Sequence, residues 1–221
     1  MNRTKTVVAA LAALVMAAAF TGCGNSNLVI EGTVLRGAKN PTKVPANLKI
    51  PNGIDAIGMG AFSGCSAIKT VTFPKTLKRI GTYAFSGCDY LESVTIPEGV
   101  TSIDSSFRQC DALTSVTILG SVTEGESAFQ SCKSLAKVTI GNGVTAIAES
   151  MFYNCKALTS VTIPSSVTKI GRSAFNDCDS LESVTFQGTK AQWEAIEKDR
   201  IGIGTFAVKC TDGEIPSQKW F

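Results

Sequence analysis

A phenylalanine and a cysteine recur three residues apart, six times over, and nothing else constrains the fold of this chain so tightly. The cysteines are Cys65, Cys88, Cys110, Cys132, Cys155 and Cys178, spaced 23, 22, 22, 23 and 23 residues. They are preceded in turn by Phe62, Phe85, Phe107, Phe129, Phe152 and Phe175. Six matches in one register mark an internal repeat, and a period of about 20–50 residues points to stacked units. Each unit opens with one kind of sextet: Ile68–Phe73, Leu91–Ile96, Leu113–Ile118, Leu135–Ile140, Leu158–Ile163 and Leu181–Phe186. Their β-branched residues and strict alternation predict a strand. Proline follows at Pro74, Pro97 and Pro164, and at Pro51 in a partial unit upstream, where a ladder has to stop. Next come a Val or Leu and an Ile, as in Val100 and Ile103 or Val167 and Ile170, then a turn and Ala-Phe-x-x-Cys. So few apolar positions cannot close a core alone, but stacked copies bury their edges on one another.

The L-x-x-V-x-I opening is the leucine-rich-repeat pattern. With its I-G-x-x-A-F-x-x-C-x-x-L turn, the unit resembles the BspA-like (Treponema pallidum-type) leucine-rich repeats of bacterial surface proteins. The resemblance runs from about residue 48 to 187, and residues 188–221, with Trp193 and Cys210, look like the terminal unit of such proteins. It implies a leucine-rich-repeat solenoid: parallel strands, one per repeat, short turns on an irregular convex side, and a small helical C-terminal cap. It also implies a secreted or cell-surface protein linked to adhesion. A helix-like stretch, Lys190 to Arg200, is expected to close the last rung, with Ala191, Ala195 and Ile196 on one face and Trp193 capping the open end. Trp220 and Phe221 read as a packed or exposed tail.

Before the repeats, residues 1–22 read as an export signal. Arg3 and Lys5 form its basic start and Val7 to Phe20 its apolar run, which is too short for the roughly 20 residues of a membrane-spanning helix. Phe20-Thr-Gly-Cys23 resembles the lipobox of bacterial lipoproteins, with Phe20 where Leu is usual, and implies lipidation at Cys23. A membrane-anchored, exported protein is the expectation. Residues 23–47 then form a tether and N-terminal cap, with Leu28 to Leu35 as an edge strand or cap and Gly37 to Asn47 as loop.

Setting Arg3 and Lys5 aside leaves 19 basic against 18 acidic residues, with no basic block along the sequence, so a nucleic-acid partner has little support. The chain has no histidine, which excludes Ser/His/Asp and Cys/His catalysis and HExxH zinc sites. Acidic residues such as Asp89, Asp111, Asp177 and Asp179 sit at turn positions and not as an inward pair, and no phosphate-binding or nucleophile-elbow motif occurs. No enzyme, cofactor or metal is expected. The six repeat cysteines form a ladder of buried free thiols: adjacent rungs lie about 4.8 Å apart, and a disulfide wants converging Cβ atoms near 3.8 Å. Cys210 stands outside that register. One rung departs from the rest, because alignment places Glu124 where others carry Ile57, Ile80, Ile103, Ile147 and Ile170, and Leu119-Gly120 replaces the proline turn.

Alternation also defines a surface. If Leu, Val and Ile face inward, the outward positions are Thr70 and Thr72, Ser93 and Thr95, Ser115 and Thr117, Lys137 and Thr139, Ser160 and Thr162, and Ser183 and Thr185. Eleven of the twelve are Ser or Thr. That face, roughly 25–30 Å long, is the candidate binding surface for an extended protein or glycoconjugate on host or neighbouring cells. A structural envelope lipoprotein without an external ligand is the alternative. Thr also simply suits exposed strands.

Overall fold

The structure, a computed structural model, describes residues 26–198 and 205–219. The export signal, Cys23, and Trp220 with Phe221 lie outside the described residues.

The chain coils into a solenoid with a ladder of strands on each of two sides. It enters through an antiparallel hairpin, β1 (Leu28–Glu31) and β2 (Val34–Ala38), then a single 3₁₀ turn at Pro41–Lys43. The main strands follow: β3 (Asn47–Lys49), β5 (Thr70–Thr72), β7 (Ser93–Ile96), β8 (Ser115–Ile118), β9 (Lys137–Ile140), β11 (Ser160–Ile163) and β13 (Ser183–Phe186). Two-residue strands alternate with them on the far side: β4 (Ala56–Ile57), β6 (Arg79–Ile80), β10 (Ala146–Ile147) and β12 (Lys169–Ile170). Helix α1 (Lys190–Ala195), β14 (Glu197–Lys198) and a hairpin of β15 (Thr205–Cys210) and β16 (Gly213–Lys219) close the end. The main sheet has nine strands, β3 to β15 parallel and β16 antiparallel at the edge. This is the parallel solenoid that the repeat predicts.

Between the two ladders lies one continuous core. The Val and Ile of each main strand point in, with Val94, Val116, Val138, Val161 and Val184 no more than 4% exposed. Phe62, Phe85, Phe107, Phe129, Phe152 and Phe175 form a single stack, neighbouring ring centroids 5.3–5.7 Å apart and planes within 18° of parallel. That separation in near-parallel rings is offset stacking, which adds about 0.5–1.5 kcal/mol per pair beyond burial.

The convex turns hold two columns of left-handed backbone. Gly60, Tyr83, Ser105, Ser127, Ser150 and Ser173 stand two residues before each Phe, at φ 52 to 63. A second column stands just before each Cys, as at Gly64, Gln109 and Asn154. The conformation costs a non-glycine residue about 1–2 kcal/mol. Bonds to the next rung offset it: Ser105 N donates to Glu126 O at 2.8 Å, Ser131 N to Tyr153 O at 2.8 Å, and Asn154 N to Asn176 O at 2.7 Å.

The cysteine ladder consists of buried free thiols, and each makes a contact the spacing alone did not reveal. The Sγ of Cys88, Cys110, Cys132, Cys155 and Cys178 donates to the carbonyl of the Phe one rung back, at 3.1–3.2 Å. Cys65, on the first rung, meets Pro41 O instead, at 3.7 Å. Burial pushes up the thiols of Cys88, Cys155 and Cys178, the last to about 12 from an ordinary 9.0. For Cys110 the neighbouring Cys132 thiol contributes most, with burial next. A thiol held protonated is a poor nucleophile. In a Cys23→Ala chain at neutral pH, a thiol reagent should therefore reach the half-buried Cys210 first and the six buried ladder thiols only on unfolding. The linkage sign follows: unfolded thiols ionise near 9 while Cys88, Cys110, Cys155 and Cys178 stay protonated in the fold, so stability is intact below that pH and falls as pH rises through it. Several fast-reacting thiols in folded protein would contradict this.

Two expectations need correction. Glu124 does not occupy an isoleucine position. The bridges Arg79↔Ser102 and Ser102↔Glu124 put it in the outward column, and it is exposed. Gly125, three residues after Val122 as Ile103 is after Val100, takes the inward place. The residue missing from these two 22-residue repeats lies in the turn before Phe, so aligning backward from the cysteine slipped the register by one. Met151 fills the vacancy: its Cε lies 2.4 Å from where a Gly125 Cβ would stand, and the side chain is 2% exposed. The second correction concerns the cap helix, which ends at Ala195. Ile196 turns extended (φ −60, ψ 129) because Glu197 and Lys198 pair with β12. Its buried face is Trp193 and Ile196, while Ala191 and Ala195 are exposed.

Candidate functional site

The outward positions of the main sheet stand in two columns, as alternation requires. Thr70, Ser93, Ser115, Lys137, Ser160 and Ser183 pair rung by rung in the first, and Thr95, Thr117, Thr139, Thr162 and Thr185 in the second. None of the twelve predicted residues is buried. Thr72 departs from the second column: it pairs with Lys49 on β3 but not with Thr95. The columns end on Asn47 and Lys49 at one side and Ala207 and Lys209 at the other, so lysine flanks the hydroxyl array. Thr70 Oγ1 donates to Asn47 Oδ1 at 2.9 Å. Among the described residues the other hydroxyls of the array have no protein partner and face solvent.

At one seam the sheet opens. β5 and β7 pair only at Thr70↔Ser93, whereas β7 and β8 pair along four residues. The cause lies partly at Pro97. On other rungs the residue after the strand donates its N–H across the seam, as Leu119 does to Ile96 O and Gly141 to Ile118 O, at 3.0 and 2.7 Å. Proline has no N–H to give, so the carbonyl of Phe73 goes without its ladder donor. Pro164 has a milder effect, because β9 and β11 stay paired through Thr139↔Thr162 and stop there.

The opening is a groove of about 680 Å³ on the sheet face. Thr70, Thr72, Ser93 and Thr95 supply its hydroxyls, Val71, Phe73, Pro97 and Leu119 its apolar surface, and Lys75 and Glu98 its charges. Phe73 takes the strand-end slot that Ile96, Ile118, Ile140 and Ile163 fill elsewhere. Those four are at most 5% exposed, but Phe73 is half-buried, packed edge-on to Phe85 at 5.9 Å. Leu119 is 43% exposed. The groove thus joins four predicted face residues to four apolar ones that alternation assigns to the core or the turn. Leu119 is visible as a departure from the repeat, but Phe73 has a buried counterpart in Phe186, and strand separation cannot be read from the sequence. An apolar floor with a few convergent polar groups is the usual make-up of a binding pocket. Among the described residues no cluster of His, Cys, Asp or Glu could hold a metal, and no helix is long and apolar enough to cross a membrane.

Parallel strands repeated once per turn, with an outward face of small polar side chains, define a leucine-rich-repeat solenoid, a fold built as a binding scaffold. The chain belongs to the BspA-type leucine-rich-repeat family, whose region of six copies matches residues 42–125 and 104–201. Three solved structures share the fold. A leucine-rich repeat protein from Eubacterium ventriosum is 26% identical over 71% of this chain and 51% of its own, with a TM-score of 0.51. The T. pallidum leucine rich repeat protein is 22% identical over 81% of both chains, with a TM-score of 0.50. The pneumococcal vaccine antigen PcpA is 17% identical over 86% of this chain and 49% of its own, with a TM-score of 0.58. This chain spans 62% of two further bacterial leucine-rich-repeat chains. No sequence among the curated proteins matches it.

Proposed function

We propose that the protein is an exported cell-surface binding protein, anchored through Cys23, that uses the main sheet face to hold a protein or glycoconjugate partner. The observation that carries this reading is the groove at the β5–β7 seam. Elsewhere the face is hydroxyls, which grip weakly. There it exposes Phe73 and Leu119 beside an unpartnered carbonyl, in the proportions that give interfaces their anchoring contacts. An extended partner lies along the columns with one apolar group in the groove, and weak contacts on successive rungs add to it. Membership of a leucine-rich-repeat family supports a binding role, and the lipobox-like sequence at Cys23 supports export.

Capture of the protein on immobilised matrix proteins, mucins and glycans tests the reading, beside a variant carrying Thr117→Lys and Leu119→Glu. Both positions are partly exposed, so the variant folds normally. Binding that saturates for the wild type and falls at least about tenfold in the variant supports the face as the site. Capture unchanged in the variant discards the face. A folded protein that binds none of these surfaces favours a structural role within the envelope.

A further inference from the structure

The near-neutral balance of the chain conceals a segregation of charge along the solenoid axis. Residues 26–80, the entry hairpin and the first rungs, carry eight basic residues against two acidic, Glu31 and Asp55, a net of +6. Residues 81–221 carry eleven basic against sixteen acidic, a net of −5. The basic residues surround the N-terminal end. Lys39 and Lys43 lie in the entry loop, Lys49 on the outermost main strand, Lys69 and Lys75 beside the next, and Lys78 and Arg79 on the opposite ladder. All are exposed. The excess is scarcely neutralised, for among the described residues the one ion pair at this end joins Arg36 to Glu31 at 3.0 Å. Asp55 is half-buried. The ion pairs Lys133–Asp111, Lys156–Asp179 and Lys169–Glu197 all lie further along.

We infer that this basic end docks onto anionic phospholipid headgroups, standing the solenoid with its first rung against the membrane. The inference rests on the anchored reading above, which supplies the geometry. Cys23 lies five residues before Leu28, where β1 begins. Even fully extended, five residues reach only about 17 Å. A protein held at Cys23 therefore keeps the start of β1 within about two screening lengths of the surface, each about 8–10 Å at physiological salt. Lys39, whose N–H donates to Asn27 O at 2.7 Å, lies beside that start, with Lys43 and Lys49 following on the same end. Basic residues so close to an anionic leaflet are attracted, and the acidic remainder is pushed outward. Docking would fix the sheet face side-on to the membrane, away from the lipid, where an external partner reaches it. A nucleic acid would also seek positive charge, but no basic element here offers a recognition helix or a stacking platform.

The test uses the full chain with Cys23→Ala, so that no acyl chain contributes. It is sedimented with phosphatidylcholine vesicles and with vesicles containing about one-third phosphatidylglycerol. Three engaged lysines predict binding on the order of 100-fold stronger to the anionic vesicles at low salt, lost at about 0.5 M salt. Insertion of the apolar N-terminal run would instead be equal on both vesicles and indifferent to salt. Lys39→Glu, Lys43→Glu and Lys49→Glu together should reduce anionic binding to the neutral level. Lys156→Glu, Arg172→Glu and Lys190→Glu, the same charge change at other rungs, should leave it intact. Equal binding to both vesicles, or equal loss in both triple variants, overturns the inference. Because the assay carries no acylated protein, a failure here is separate from failure of lipidation, which palmitate labelling at Cys23 reports.

Discussion

A chain carrying both Gly125→Ile and Met151→Ala is expected to unfold within about 1–2 kcal/mol of the wild type, although the two changes made separately should total about 5 kcal/mol. Met151 stands at the position that is Ala84, Ala128 or Ala174 on other rungs, and Gly125 where others have isoleucine. The longer side chain on one rung occupies the space that the missing one leaves on the rung before. Met151→Ala opens that space again and should cost about 3 kcal/mol, in the range of large-to-small core changes. Gly125→Ile drives a branched side chain into the methionine and should cost about 2 kcal/mol by overpacking. Gly125 has no left-handed φ, so its backbone admits isoleucine once the methionine is gone. Together the two changes restore the arrangement of the regular rungs. Urea titrations of the four proteins give the coupling energy, and strict additivity would show that the two sites do not share a cavity.

Phe107→Ala should be the most damaging single substitution in the core, costing about 4–5 kcal/mol. The ring is fully buried and stacks on both sides, on Phe85 at 5.4 Å and 2° and on Phe129 at 5.4 Å and 10°. Deleting it creates a cavity and removes two stacking contacts. Phe175, last in the stack, has one such partner, Phe152 at 5.5 Å. Phe175→Ala should cost about 1 kcal/mol less. The two should also differ in kind. A solenoid is held by contacts between neighbouring rungs, so a break at its middle uncouples two halves, whereas a break at the end shortens the stack. Denaturation of Phe107→Ala should show two transitions, and Phe175→Ala one. Identical single transitions in both would show that the cooperative unit is not built from rung-to-rung contacts.

The strands, the phenylalanine stack and the thiol ladder were legible in the sequence because in a stacked repeat every rung meets its equivalents, so spacing alone predicts contact. Features that belong to one rung were harder to read. Gly125 was hidden because a one-residue deletion can be placed in either of two turns until strand register fixes it, and Glu124 beside it has the wrong chemistry for the inward place. The hairpin Thr205–Cys210 and Gly213–Lys219 went unread because it repeats nothing. The thiols were recognised as buried, but a bond to the preceding carbonyl depends on the turn before the cysteine. For the face, alternation placed all twelve outward residues. It missed the groove that brings Phe73 and Leu119 together, because the parting of the β5–β7 seam, to which Pro97 contributes, is not a property of the repeat. The departures that matter for binding are thus the places where the repeat is broken.

The account stands most directly on whether the opened seam contacts the partner. The measurement is a binding titration of wild type and of the Thr117→Lys, Leu119→Glu variant over the macromolecule that captures the protein best, with thermal unfolding of both run alongside. The account predicts equal unfolding temperatures and at least about tenfold weaker binding by the variant. Equal affinities in two equally stable proteins would contradict it and move the site to another face of the solenoid.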